Sequence, residues 1–531
     1  MAKSILNKKN LFLILVLIFG IFYIFNFVFS YKDISLASGG TQEDFILEYN
    51  AGRNFALKGF VKLFFLPDYS TDFEKNSQPI FYTHNPSLPS AVQGFLIKIG
   101  FNVFQSRIFY SLISLSGVAF LFLFLSESVS LPAAVFSSIF LIVNFSGFLS
   151  LVDHNQYSLS FPILFGYLWV RYGNMPKRYF IVPLIFFIAS FANYMLAGFM
   201  LISELLFGIF EKNMRLFFFC FLSVSAGAII HIMQNMSALT TSIALQDIWL
   251  TAQNRFFSIP PRKELLNFYQ AHNMVLWGSN ERAPMVSYLL GAIRPFYLFK
   301  IPLAVGGIFT FILYIFRRGC IYKNRKFIIP LFLAVFIWQI VFLPTIGNHP
   351  LFFYAFLVIF LGMAVGDLFY GLIEKIKPDK DFYIFLLKNF IFKIIMLLAI
   401  VIIGWKYFIW AGNFSNDKKL SDILAMLENY RNKTFFTNIT PNTVSFKTDA
   451  WSIGFCLPEG LLNIDASNCY SKFSGAGNAE LVPNYIFLSS YAYAFKCSRE
   501  CFLGLKAKLS LKYELVEETA DGENVVYKVE K

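Results

Sequence analysis

The sequence predicts a polytopic α-helical membrane protein with about eleven spans, interfacial helices in a long first outer loop, and a small C-terminal α/β domain outside the membrane. Of its 531 residues, 57% are hydrophobic and only 15% are charged. Soluble domains carry about 25% charged residues, so this chain has too little charge to cover a water-facing surface. Apolar runs of about 18 residues or more recur along most of the chain, and each can cross a bilayer. This pattern excludes disordered, fibrous and small secreted proteins.

The order of the apolar runs predicts the topology. Residues 11–30 form a run longer than the apolar core of a signal peptide, so we expect a retained first span. Basic clusters flank one side of the predicted spans, and positive charge marks the cytoplasmic face. The net charge of +13 therefore orients helices and does not indicate nucleic-acid binding. We expect an integral protein of a bacterial inner membrane with a cytoplasmic N-terminus. The further spans are predicted at residues 107–125, 131–150, 157–171, 179–193, 195–210, 216–233, 296–316, 327–345, 350–372 and 388–411.

Two connections are too long to be simple turns, and long loops in compact proteins are usually functional. They cover about residues 31–105 and 234–294, and both are predicted on the outer side. Within the first, residues 86–101 are moderately apolar but too short to span, which is typical of an interfacial helix. Residues 1–412 are therefore predicted to form the transmembrane catalytic domain.

Residues 413–531 change in composition and contain no spanning run, which predicts a separate domain outside the membrane. Short apolar segments such as residues 485–489 alternate with turn residues. Near the end, two strand-like segments flank Asp521-Gly522, a strong signal for a β-hairpin. We expect a small extracytoplasmic α/β domain.

Four of the six cysteines fall in this outer domain, where disulfides can persist. Pairs Cys456–Cys469 and Cys497–Cys501 are favoured because each closes a short loop. A zinc site is the competing interpretation, since Cys497 and Cys501 could supply two ligands.

An acidic pair opens the first outer loop. Glu43 and Asp44 follow Gly39-Gly40 shortly after the first span. A carboxylate near lipid and shielded from bulk water can have a raised pKa and accept a proton from a hydroxyl nucleophile. The competing interpretation is a solvated acidic loop.

His84 stands in the segment Tyr82-Thr83-His84-Asn85-Pro86, directly before the predicted interfacial helix. Proline is tolerated at a helix start, and the free N–H groups there favour anions. His84 would then lie beside an anion site. The alternative is a polar anchor at the interface.

Cations in the second outer loop suggest the same kind of ligand. An anionic lipid-linked substrate needs basic groups to hold its phosphate, and arginine can bind it through two hydrogen bonds. Individually, each cation could instead be solvated or face lipid headgroups. Charges inside the spans are scarce, with Glu204 predicted near a span end facing the interface, and this argues against an ion-coupled transporter. The cations of the second outer loop are Arg255, Arg262, Lys263, Arg282 and Arg294.

These features resemble the GT-C superfamily of membrane glycosyltransferases, which includes protein O-mannosyltransferases and lipid A aminoarabinose transferases. The acidic pair at the start of the first outer loop is similar to that of the family, although it reads Glu-Asp where Asp-Glu is frequent. The stretch Tyr49-Asn50-Ala51-Gly52-Arg53-Asn54 is similar to an aromatic-Ala-Arg-Asn segment. The segment around His84 is similar to Tyr-x-His-x-Pro-Pro, with Ser87 in place of the second proline, and Asn348-His349 resembles a segment at an outer span start.

The resemblance implies a polyprenyl-phosphate-linked sugar as donor, an active site at the outer face, and inversion at the anomeric carbon. A departing phosphate needs cations more than it needs a general acid, and a hydroxyl acceptor on a glycan, lipid or protein needs one base. By the family spacing this base is Asp44, with Glu43 as the alternative. The candidates for holding the phosphate are then His84, Arg255, Arg294 and His349, with Arg262 and Lys263 as weaker ones. No cofactor is required by this chemistry, and a divalent cation is left open.

Two other functions remain open from the sequence. A flippase or transporter of lipid-linked saccharides would move its substrate without forming a glycosidic bond. A polysaccharide polymerase or ligase would use an oligosaccharide donor. The identities of the sugar and the acceptor have no signature in the sequence.

Overall fold

The structure is a computed structural model of the full chain. It describes residues 2–30, 41–70, 79–84, 87–149, 155–173, 177–257, 327–338, 425–438, 483–490 and 499–529, with residues 175, 264, 268–269, 271–272, 274, 362–363, 423, 444, 448 and 452–454. The predicted spans at about 296–316, 350–372 and 388–411 lie almost entirely outside these residues.

Seven apolar helices correspond to the first seven predicted spans. Three of them, Val103–Ser128, Tyr194–Glu211 and Arg215–Ala238, are long and apolar enough to cross a membrane, and shorter apolar stretches are Lys9–Phe25, Leu131–Val143 and Arg178–Ala192. An eighth apolar helix lies within the span predicted at 327–345. The total of eleven spans stays a prediction. The bounds are α1 Ala2–Ser30, α4 Val103–Ser128, α5 Leu131–Leu149, α6 Asn155–Tyr172, α7 Arg178–Ala192, α8 Tyr194–Glu211, α9 Arg215–Ala238 and α11 Ile328–Ile337.

Local sequence explains where some of these helices begin. The Asn102 side chain accepts from the backbone N–H of Gln105, whose side chain accepts in return from Asn102, so a capping box starts α4. Asn193 is extended and accepts from Met195 and Leu196, so it caps α8. Gly117 on α4 lies against α6, where an added Cβ would come within 2.8 Å of the Pro162 nitrogen. This close approach brings α4 and α6 together in the main hydrophobic core.

A buried charged cluster joins α6 to α8. The Nε of Arg171 lies 3.1 Å from each carboxylate oxygen of Glu204, and its Nη2 lies 2.7 Å from Glu211. The hydroxyl of Tyr167 donates to Glu204 at 2.7 Å. Glu204 is fully buried. Glu204 therefore does not face the interface, although the sequence suggested that it would. It can be buried because Arg171 provides a charged partner between the helices.

The first outer loop contains two helices, α2 (Thr41–Lys58) and α3 (Ser87–Lys98). The second matches the helix predicted at 86–101. The two helices pack closely because glycine occurs at their contact: a Cβ added at Gly94 would come within 2.8 Å of the Gly52 oxygen. This loop is therefore folded, with its two helices packed against each other.

The second outer loop is also partly helical. Helix α10 (Thr241–Phe257) packs against α9, and an isolated bridge pairs Phe81 of the first loop with Met274. The two outer loops thus lie against each other.

The described residues of the C-terminal region include five strands and a helix, which are β1 Phe435–Thr437, β2 Ser452–Gly454, β3 Tyr485–Ser489, α12 Arg499–Ser510, β4 Glu514–Glu518 and β5 Asn524–Lys528. The strands form one sheet in the order β2-β1-β3-β5-β4. Strand β3 pairs parallel with β1 and antiparallel with β5, so the sheet is mixed. The hairpin predicted around Asp521-Gly522 is confirmed as β4 and β5, with Gly522 at φ 70° in the turn. The predicted α/β character is confirmed for the described residues.

Candidate functional site

The predicted catalytic carboxylates lie at the start of a helix. Glu43 and Asp44 are in the first turn of α2, and their side chains lie outside the described part of the structure. One turn further on, the carboxylate of Glu48 is almost fully buried. It accepts a hydrogen bond from Ser90 on α3 and one from Tyr69 at 3.3 Å. Helix α2 is thereby fixed against the rest of the loop just below the acidic pair.

A second buried network fixes the segment between α2 and α3. The ammonium group of Lys58 lies 2.7 Å from the carboxylate of Asp68, and both side chains are almost fully buried. The other Asp68 oxygen accepts the backbone N–H groups of Ser70 and Ile80, each at 2.9 Å. These contacts therefore hold the segment that leads to His84 against α2.

His84 lies at the centre of a polar cluster that joins the two outer loops. Its Nε2 lies 3.0 Å from Asp247 Oδ1, 2.6 Å from the Tyr269 hydroxyl and 3.1 Å from the Thr251 hydroxyl. Asp247 and Thr251 share the inner face of α10 with Ala244, since positions three or four apart lie on one side of a helix. The imidazole is 15% exposed, whereas the Asp247 side chain is fully buried. The histidine that the sequence selected is therefore held by partners from the other loop.

The electrostatics of this cluster favour a charged carboxylate. Burial raises the pKa of the Asp247 carboxyl, but attraction to His84 and hydrogen bonds from its neighbours outweigh burial, so this pKa lies below its ordinary value. Burial, together with the charge of Asp247, raises the pKa of the Tyr269 phenol. Tyr269 is therefore protonated at neutral pH and donates to Asp247 Oδ1.

A further pair of hydrogen bonds fixes the backbone next to His84. The carbonyl of Thr83 lies 2.7 Å from His231 Nε2 and 3.4 Å from Asn235 Nδ2, and both belong to the last turns of α9. The ring of Tyr82 contacts the ring of His84 edge-on. The position of His84 thus depends on α9, α10 and the first outer loop together.

None of the other predicted phosphate-binding residues has a described side chain in this cluster. Arg255 lies in the last turn of α10, one turn after Thr251, and its side chain is outside the described part. Among the described side chains, no group of three or more His, Cys, Asp or Glu could hold a metal ion. The remaining candidates Arg262, Lys263, Arg294 and His349 lie outside the described residues.

The disulfide prediction falls largely outside the described residues as well. Cys456, Cys469 and Cys497 are not described, and Cys501 lies in α12 with its side chain outside the description. Both pairs stay predictions.

Sequence reasoning missed the acidic partner of His84. Asp247 lies 163 positions away, in a loop for which the sequence predicts only basic ligands. A signal was present, since a single acid in the apolar stretch Thr241–Leu250 falls on one face with Ala244 and Thr251. The match to His84, however, depends on how two distant loops pack.

Comparisons with known proteins bear on the fold. No protein-family model matches the sequence, and no curated protein matches it. A crystal structure of ArnT from Cupriavidus metallidurans bound to undecaprenyl phosphate is similar with a TM-score of 0.55 and 11% identity, over 97% of both chains. The apo state of the same protein gives 0.51 and 12%, over 99% of this chain and 98% of that one.

A third solved structure is less similar than these two. The Archaeoglobus fulgidus oligosaccharyltransferase in complex with Zn and sulfate gives a TM-score of 0.48 at 13% identity, over 97% of this chain and 73% of that one. ArnT is an aminoarabinose transferase of the GT-C superfamily. The resemblance to GT-C membrane glycosyltransferases is therefore confirmed as a shared fold over nearly the whole chain.

Proposed function

We propose that this protein is an inverting glycosyltransferase that moves a sugar from a polyprenyl-phosphate donor to a hydroxyl acceptor at the outer face of a bacterial inner membrane. The observation that carries the proposal is the likeness, over 97% of both chains, to an ArnT structure that holds undecaprenyl phosphate. A lipid phosphate is the leaving group that this reaction requires.

The first outer loop supplies the base in this proposal. Asp44, with Glu43 as the alternative, takes the proton from the acceptor hydroxyl as its oxygen attacks the anomeric carbon. Attack from the face opposite the phosphate breaks the bond from sugar to phosphate and inverts that carbon. The position of the acidic pair supports this role, because the helix that carries it is anchored one turn later by the buried Glu48.

The leaving phosphate gains negative charge as the bond breaks, and cations stabilise it. His84 is the described residue that suits this role, because its partly exposed ring is held in the cluster between the two outer loops. Arg255, Arg262, Lys263, Arg294 and His349 are proposed as further phosphate contacts. This chemistry needs one carboxylate, unlike the two opposed carboxyl groups of most glycoside hydrolases. The C-terminal domain is proposed to lie on the same outer side.

The test begins with the donor. Deleting the gene and measuring lipid-linked sugars by mass spectrometry identifies the lipid that accumulates, and this lipid then serves as donor in membranes. We expect Asp44→Asn or Glu43→Gln to lower the transfer rate by about 10²- to 10⁴-fold, since general-base catalysis contributes that much.

Glu127→Gln is the matched control, because Glu127 pairs with Lys9 and is partly exposed. It should transfer at the wild-type rate. Full activity in both carboxylate variants and in the double variant would overturn the proposed base. Movement of the lipid-linked sugar without any new glycosidic bond would identify a flippase, and transfer of oligosaccharides alone would identify a polymerase or ligase.

A further inference from the structure

We propose that Asp247 is a positioning residue for the donor phosphate, which fixes the His84 ring through Nε2 and leaves Nδ1 to bind the phosphate oxygen. The inference rests on the proposed function, which makes His84 a phosphate ligand. It assigns a role to a carboxylate that does not itself touch the substrate.

The hydrogen bonds determine which ring nitrogen is available. Nε2 of His84 has three oxygen neighbours within 3.1 Å. Nδ1 has no hydrogen-bond partner in the described part of the structure. A ligand that reaches this partly exposed ring therefore meets Nδ1.

The carboxylate also determines where the proton resides. A carboxylate only accepts hydrogen bonds, so the Nε2 that faces Asp247 Oδ1 carries a proton. The second oxygen neighbour, Tyr269, already donates its proton to Asp247. With Nε2 protonated, Nδ1 can donate to a phosphate only when the ring carries both protons.

This arrangement couples phosphate binding to proton uptake. The doubly protonated ring donates to Asp247 from Nε2 and to an arriving phosphate anion from Nδ1, and both are hydrogen bonds between charged groups. Among the described side chains, the charged and titratable groups that face His84 are Asp247 from α10, Tyr269 from the second loop, Tyr82 from the first loop, and His231 from α9. Asp247 is the anion in this described set, and it therefore sets the proton arrangement.

The experiment uses the purified full-length protein in detergent micelles, with farnesyl phosphate as the probe in isothermal titration calorimetry. Titrations at one pH in buffers of different ionisation enthalpy report the number of protons taken up. Wild-type protein should bind with net proton uptake. Asp247→Asn should bind about tenfold more weakly, because a neutral imidazole donates a weaker hydrogen bond to the phosphate than a charged imidazolium does. It should also take up fewer protons, because an asparagine N–H can donate to Nε2 and allow a neutral ring with Nδ1–H.

Further variants separate positioning from general damage. Combining His84→Gln with Asp247→Asn should weaken binding no more than His84→Gln alone, because the two residues act as a unit. Gln246→Asn, at the exposed neighbouring position on α10, should bind as wild type does. Tyr269→Phe keeps the carboxylate and should retain proton uptake.

The outcomes distinguish two failures. Wild-type protein that neither binds farnesyl phosphate nor transfers sugar would contradict the proposed function. Wild-type protein that binds and transfers, with Asp247→Asn unchanged in affinity and proton uptake, would overturn the role of Asp247 alone. Additive losses in the double variant would do the same.

Discussion

Two buried polar clusters lie at opposite ends of α9, and their hydrogen bonding differs. Arg171 and its two glutamates lie near the start of this helix, because Glu211 just precedes it. His84 lies near its end, where His231 holds the Thr83 carbonyl. The separation along the helix is about 24 Å at 1.5 Å per residue.

The first cluster has no open carboxylate oxygen on Glu204, since Arg171 and Tyr167 engage both. The second leaves Nδ1 of a partly exposed imidazole without a hydrogen-bond partner in the described part of the structure. A closed cluster can hold helices together, whereas a cluster with an open polar atom can also bind a ligand. The comparison therefore predicts effects on stability at one end of α9 and effects on binding at the other.

Removing the arginine tests the closed cluster and should give the largest stability effect. Arg171→Leu leaves the fully buried Glu204 without its cation, and breaking a buried pair in this way costs about 3–5 kcal/mol. We expect the free energy of unfolding, measured by denaturant titration in micelles, to fall by about 4 kcal/mol. The fraction that stays folded should bind farnesyl phosphate with unchanged affinity.

Lys9→Leu is the matched control, because the pair of Lys9 with Glu127 is partly exposed. Exposed pairs contribute about 0–1 kcal/mol, so the control should change stability by no more than that. The contrast between the clusters would be refuted by an Arg171→Leu protein of normal stability that has lost lipid phosphate binding.

A third cluster, which is closed like that of Arg171, tests what makes a cluster affect stability or ligand binding. The two possibilities are its hydrogen bonding and its position in the fold. Lys58 and Asp68 lie in the same outer loop as His84, yet both are buried and paired. The segment between them holds Phe64 and Phe65 at φ 52° and 57°, a strained region for such residues. Lys58→Met should lower the free energy of unfolding by about 3 kcal/mol, since it leaves a buried carboxylate unpaired.

The exposed Lys98 on α3 of the same loop provides the control, and Lys98→Met should stay within about 0.5 kcal/mol of wild type. Limited proteolysis of the outer loop gives a second measurement, because Lys58→Met should also be cut faster there. If Lys58→Met instead abolished proton uptake on phosphate binding without changing stability, the effect of a cluster would depend on its position in the outer loop. It would not depend on whether all its polar atoms are paired.

These clusters also show what could be predicted from the sequence. The helices α4 to α9 follow the predicted spans because apolar length alone specifies a helix that can cross a bilayer. The hairpin at Gly522 follows from two strand-like segments and the turn residues between them, which are local signals. His84 was found because its neighbours in sequence resemble a known motif.

The partners in the clusters could not be predicted in the same way. Arg171 is the last residue of the span predicted at 157–171, yet it is nearly buried between Glu204 and Glu211. Asp247 reaches His84 only because α10 folds back onto the first outer loop. Such pairs depend on packing between distant segments, which periodicity and composition do not encode.

The smallest expected effect is the contribution of Asp247 to stability. Its folded-state pKa lies below the ordinary value of 3.8, because attraction to His84 and hydrogen bonds outweigh burial, which alone would raise it. A carboxyl group of this kind stabilises the folded state at pH values above its unfolded-state pKa. That contribution is lost as the pH falls through the lower folded-state pKa. Wild type should therefore be more stable than Asp247→Asn near neutral pH. The difference should be smaller than the effect of Lys58→Met, and it should shrink below pH 3.8.

Denaturant titrations of both proteins between about pH 6 and pH 3 measure this difference, with Gln246→Asn as the reference for a neutral change on α10. A difference in the free energy of unfolding that grows on acidification would mean that the Asp247 pKa is raised. The assignment of a proton to Nε2 would then fail as well. A small, acid-sensitive difference beside a tenfold loss of phosphate affinity would be the opposite of the Arg171 result. Asp247 would then affect ligand binding more than folding, as expected of a carboxylate that orients an open imidazole.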